Sequence, residues 1–152
     1  MKILYAIQAT GNGHISRAEA LLPLFKNIAE VDILVSGISA DIKLDYPIKY
    51  RFKGLSFIFG KNGGIDVWKT IRSIDVLRFL KDVNSLDLTD YDVVINDFEP
   101  VSAWASVFEK KRSIALSHQY SLLNSKVPKS SKKAFLARII SVSYTHLRAH
   151  ET

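Results

Sequence analysis

Three short stretches carry residue types that can do chemistry. Gln8-Ala9-Thr10-Gly11-Asn12-Gly13-His14-Ile15-Ser16 joins two glycines to a histidine. Glycines let backbone N–H groups approach a phosphate or sugar oxygen, and an imidazole can take up a proton near neutral pH. Asp97-Phe98-Glu99-Pro100 offers two carboxylates, either of which could accept the proton of an attacking hydroxyl as general base. Ser117-His118-Gln119-Tyr120 supplies a second histidine. Each stretch also has a plainer reading. The glycines suit a tight strand-to-helix turn, Asp97 could cap a helix opening near Pro100, Glu99 could complement that helix's dipole, and His118 could be structural.

What would bring these stretches together is an alternation of strand-like and helix-like segments, the pattern of a parallel sheet with helices on both faces. The sequence predicts strands near 2 to 8, 31 to 36, 48 to 59 (broken at Gly54), 92 to 96 and 113 to 117. A first helix from about Ile15 to Ile28 places Ile15, Ala18, Leu21, Leu22, Phe25 and Ile28 on one face, with Pro23 expected to kink or split it. A second, about 65 to 84, carries Ile65, Trp68, Ile71, Ile74, Leu77 and Leu80 as its core stripe, and a third, 100 to 110, opens with Pro100. Lys61-Asn62-Gly63-Gly64 marks a surface loop. In such a sheet ligands bind beyond the carboxyl ends of the strands. His14, Asp97 and His118 each follow or end a different strand there, so they are expected to converge.

Composition narrows the classes. With 152 residues, 47% apolar and 24% charged, the chain is one ordinary globular domain able to bury roughly two thirds of its unfolded surface. The absence of cysteine removes disulfides, thiolate nucleophiles and Cys-based metal sites, and fits a cytoplasmic setting. Nothing approaches the ~20 apolar residues of a membrane span, and the N-terminus reads as a strand rather than a signal peptide. The net charge of +6 is uneven, with eight Lys or Arg and no Asp or Glu between Lys110 and Ile140. Basic and apolar residues alternate over 129 to 140, which suits an amphipathic helix. It points to a second reading, a non-catalytic module that contacts an anionic membrane surface or nucleic acid. Sequence-specific nucleic-acid binding has no recognised motif here.

Several nucleotide and hydrolase signatures are near misses. Gly11-x-Gly13-x-x-Ser16 falls one residue short of the dinucleotide fingerprint, and the second strand ends Leu34-Val35-Ser36-Gly37 without the acid that would bind a ribose. No P-loop occurs. Asp90-Tyr91-Asp92 has the form of a metal-binding Asp-x-Asp but precedes its strand, at the wrong edge, and reads as solvated loop. Gly37-Ile38-Ser39-Ala40-Asp41 lacks the last glycine of a nucleophile elbow.

Met1 to Ala18 as a whole resembles the opening of glycosyltransferase family 28, the relatives of the peptidoglycan N-acetylglucosaminyltransferase. In that family a glycine-rich loop ending in Gly-His joins the first strand to the first helix of the acceptor domain. Gly11, Gly13 and His14 match it, whereas Ala9 and Asn12 stand where the family commonly has glycine. The resemblance implies the N-terminal, Rossmann-like half of a GT-B fold, with a second such domain holding most of a UDP-linked nucleotide-sugar donor. It implies inverting transfer to a glycan or lipid-linked acceptor, a possible peripheral contact with the inner membrane surface, and neither cofactor nor metal. His14 or Asp97 would be the base. Gly11, Asn12 and Gly13 would meet the diphosphate, with Glu99, His118 and Gln119 as further substrate contacts.

The last eleven residues, Val142 to Thr152, continue no earlier pattern and look like translated sequencing-adapter read-through. The Rossmann-like domain is accordingly expected to span residues 1–141 and to be truncated near Ser141. The expected tail would make the His146 and His150 pair incidental rather than a metal site.

Overall fold

The computed structural model describes residues 1–10, 12–37, 44–55 and 75–116. Gly11, residues 56 to 59 of the expected third strand, the loop at 61 to 64, residues 65 to 74 of the helix expected over 65 to 84, His118, Gln119, the basic stretch at 129 to 140 and the tail at 142 to 152 lie outside the described residues.

Among the described residues five strands form one all-parallel sheet in the order β3-β2-β1-β4-β5. They are β1 (Lys2–Gln8), β2 (Glu30–Ser36), β3 (Tyr50–Phe52), β4 (Val93–Asp97) and β5 (Ser113–Ala115). Among the described residues three helices accompany them, α1 (Asn12–Lys26), α2 (Val76–Ser85) and α3 (Pro100–Phe108). This is the α/β, Rossmann-like architecture that the alternation predicted. The central strand β1 is buried from Ile3 through Gln8. A near-continuous apolar run of this kind marks a strand covered on both sides.

Successive side chains of a strand point to opposite faces, and that alternation divides the core in two. Ile3, Tyr5, Ile7, Ile33, Val35, Val93 and Ile95 pack on Ile15, Ala18 and Leu22 of α1. Leu4, Ala6, Leu34 and Val94 pack on Phe79 and Val83 of α2 and on Val101 and Ala105 of α3. The same parity sends Asp97 to the α1 side and its neighbour Asn96 to the other.

Two helix expectations need correction. Pro23 does not split α1, which runs on to Lys26. The ring costs α1 one hydrogen bond to the Glu19 carbonyl and crowds that carbonyl, and the packing of Ile15, Ala18 and Leu22 on the sheet carries the helix through it. In α2 the buried residues are Phe79 and Val83, whereas Leu77 is 82% exposed and Leu80 40% exposed. The described part of the expected stripe therefore faces away from the sheet. Steps of three drift around a helix of 3.6 residues per turn, and the pair four apart lies under the contact with α3. Among the described residues no helix is long and apolar enough to cross a membrane.

At the amino edge, Asp32 accepts hydrogen bonds from Lys49 Nζ (2.6 Å) and from the Tyr91 hydroxyl (2.7 Å). Burial pushes the Asp32 carboxyl up, but the hydrogen bonds from Lys49 and Tyr91 outweigh it and hold the group below its ordinary value. Tyr91 is thus buried and tied to β2, not part of a solvated loop. Its flanking Asp92 accepts from the Lys2 backbone N–H at 2.6 Å.

Candidate functional site

Chain order runs outward from β1 to β2 and β3, then returns to the other side of β1 for β4 and β5. The reversal falls between β1 and β4, and a crevice at their carboxyl ends is where an open α/β sheet binds ligands. β1 ends at Gln8 and α1 begins at Asn12, so His14 sits in the first turn of α1 above that point. Asp97 ends β4, paired in register with Ile7.

These two residues meet although they are far apart in sequence. His14 Nδ1 lies 2.9 Å from Asp97 Oδ1. Arg17, on the same face of α1 three residues later, donates from Nη1 to that same oxygen at 2.6 Å. Asp97 has no exposed surface, while the His14 and Arg17 side chains are 13% and 28% exposed. Asp97 Oδ2 has no hydrogen-bond partner among the described residues, and neither has the buried Tyr5 hydroxyl. Burial first, and then the charge of Asp97, raise the Tyr5 hydroxyl above its ordinary value, with Arg17 opposing them. Tyr5 is therefore neutral beside the pair.

Phe98 turns the chain from β4 toward α3 with a φ of 60°, a left-handed conformation unfavourable for a non-glycine residue. Its ring lies parallel to that of His14, with centroids 6.2 Å apart. The turn is clamped by Asn96, whose Nδ2 donates to the Glu99 carbonyl (2.6 Å) and to Ser102 Oγ (2.7 Å), and whose Oδ1 accepts from the Glu99 N–H (3.2 Å). The strained residue thus fixes one wall of the imidazole's surroundings.

Glu99, and not Asp97, is the cap of α3. Its Oε1 accepts from the Val101 N–H at 2.8 Å and its Oε2 from the Ser102 N–H at 2.6 Å. Glu99 is fully buried with both oxygens engaged, so it serves the helix, where the sequence had offered it as a substrate contact. Burial pushes its carboxyl up, opposed by hydrogen bonds from Ser102, Val101 and Ser36. Beside it Ser36 Oγ donates to Gln8 Oε1 (2.8 Å), and Gln8 Nε2 donates to the Leu55 carbonyl (3.1 Å). Gly54 makes this closeness possible: it adopts a φ of 59°, and a Cβ there would stand 2.7 Å from Ser36 Oγ.

Of the residues singled out from sequence, the structure brings His14 and Asp97 together and turns Glu99 inward. Asn12 and Gly13 open α1 beside them. A Cβ at Gly13 would meet nothing within 4 Å, so packing within the described residues does not require a glycine there. Gly11, His118 and Gln119 lie outside the described residues. Arg17 and Tyr5 were not singled out. Arg17 had a usable signal, its position three residues after His14 on a helix; Tyr5 had none, being one apolar-side residue of a core strand.

Chemically, a carboxylate can only accept, so a proton on Nδ1 satisfies the His14–Asp97 bond and leaves a lone pair on Nε2. The arrangement is that of an imidazole oriented by a buried carboxylate, fit to accept a proton from a hydroxyl. No protein-family model and no curated protein matches the chain.

Proposed function

We propose that this chain is the acceptor-side domain of a nucleotide-sugar glycosyltransferase in which His14 is the general base. The observation that carries the reading is the His14–Asp97 pair, 2.9 Å apart at the carboxyl edge between β1 and β4. In this mechanism Nε2 of His14 takes the proton of the acceptor hydroxyl as its oxygen attacks the anomeric carbon from the face opposite the leaving group. Asp97 holds the ring in place and stabilises the imidazolium that forms. Asn12 and Gly13 offer backbone N–H groups at the start of α1, where the helix dipole favours the negative charge developing on the departing diphosphate. A second domain, outside this sequence, completes the donor site.

Gly13 supports the reading independently. Glycine in a helix interior costs roughly 0.5–1 kcal/mol relative to alanine, and at Gly13, in the first turn, no contact among the described residues requires it. Close approach of a ligand to the backbone supplies a reason for it.

The test is turnover by the protein encoded by the full reading frame, screened with nucleotide sugars and hydroxyl acceptors. His14→Ala should lower it by ~10²–10⁴-fold with little change in thermal midpoint. Asp97→Asn should lower it as well, by misplacing the ring, and His118→Ala shows whether the second histidine shares the task. Near-normal turnover by His14→Ala would overturn the assignment.

A further inference from the structure

Arg17 and His14 converge on one oxygen of one buried carboxylate, Asp97 Oδ1, at 2.6 and 2.9 Å. A carboxylate without exposed surface needs a counter-charge, because removing an ion from water costs several kcal/mol unless an opposite charge compensates it. Among the described residues, the side chains that reach Asp97 and can supply one are those of Arg17 and His14. The guanidinium of Arg17 is permanently charged, whereas an imidazole can be either neutral or cationic. An imidazolium has no lone pair and cannot act as a base.

We infer that Arg17 is a positioning residue: by supplying the counter-charge of Asp97 it leaves His14 neutral, with its proton on Nδ1 and its lone pair on Nε2. The inference rests on the reading of His14 as the base, and it adds a division of labour. Asp97 orients the ring, and Arg17 spares the ring from serving as the cation.

The other groups around the pair leave this role to Arg17. From β1, Tyr5 is neutral, its hydroxyl raised by burial and by Asp97. On β4 the ionisable residue is Asp97 itself, and α3 contains none. Glu99, which caps α3, directs both oxygens to its own helix. The remaining charged side chains of α1, Glu19 and Lys26, are exposed. Among the described residues, then, removal of Arg17 would leave His14 as the nearest source of positive charge.

Long-range proton–nitrogen correlation spectra of the isotope-labelled chain at neutral pH distinguish the neutral tautomers from imidazolium. The His14 signals are assigned by their loss in His14→Gln. The wild-type chain and Arg17→Lys, which keeps the charge, should both show a neutral ring protonated on Nδ1. Arg17→Gln should shift His14 to the imidazolium pattern at the same pH. An unchanged neutral pattern in folded Arg17→Gln would overturn the inference. If that variant did not fold, the wild-type spectrum would decide: a neutral Nδ1–H ring supports the inference, and an imidazolium or an Nε2–H ring overturns it. Turnover plays no part in the readout, so its failure is separable from failure of the glycosyltransferase reading.

Discussion

Asp97 and Glu99 are two residues apart, both carboxylates and both without exposed surface, yet their surroundings differ in kind. Each oxygen of Glu99 accepts a backbone N–H, and the Gln8, Ser36, Asn96 and Ser102 side chains around it bond to one another or to the chain. Asp97 concentrates a histidine and an arginine on one oxygen and leaves the other without a partner among the described residues. A closed network spends its polar groups on holding the fold. A site that leaves one unspent among the described residues, next to a partly exposed imidazole, accepts a stability cost that the role proposed for His14 would explain.

The comparison can be broken most directly by removing each carboxylate and measuring unfolding in denaturant. Glu99→Ala leaves the buried Val101 and Ser102 amides without their acceptor and should cost about 2–4 kcal/mol. Asp97→Asn keeps the shape and lets the part-exposed Arg17 side chain turn to water, so it should cost under about 1 kcal/mol. Equal costs would mean that the two carboxylates do the same work.

Gly54→Ala probes the closed network from the side. It places a Cβ against Ser36 Oγ in a left-handed backbone and should destabilise by about 1–3 kcal/mol. A thermal midpoint equal to wild type would show that Ser36 and Leu55 can yield without loss.

A gentler probe of the same network is pH. Burial raises the Glu99 carboxyl, so this acid holds its proton more readily in the folded chain than in the unfolded one. Its contribution to stability is therefore full below the ordinary value of 4.5 and is lost as pH rises through the raised folded value. Wild-type stability relative to Glu99→Gln should decline as pH rises above 4.5. A difference that grows over that range would reverse the sign of the argument.

The smallest expected effect lies on the open side. Gly13→Ala should gain about 0.5 kcal/mol of stability from helix propensity while lowering the turnover proposed for the His14 site. A gain in stability with no loss of turnover would remove the ligand as the reason for the glycine.

How far these features could be read from sequence depended on whether their cause was local. The strands around Ile3 to Ile7 and Val93 to Ile95 were legible because burial on both faces demands an unbroken apolar run. The convergence of His14 with Asp97 was legible because a parallel sheet collects its strand ends at one edge. The buried face of α2 was not, since apolar residues at 76, 77, 79, 80 and 83 fit more than one stripe and the partner helix chooses between them. The exchange of roles between Asp97 and Glu99 had a local sign that went unused: a proline opening a helix makes the residue before it the cap. The convergence of Arg17 and His14 on one oxygen of Asp97 depends on how α1 packs over the end of β4, and that is a property of the packed structure.

Open space at Gly13 also gives this protein a reporter position. The chain has no cysteine, so Gly13→Cys would introduce its one thiol, in a spot where the new Cβ meets nothing within 4 Å among the described residues. An environment-sensitive dye attached there would stand one residue from His14. Because the dye and a ligand would compete for the same space, its emission would register any molecule that displaces it, so that compounds could be sorted by occupancy before any reaction is assigned.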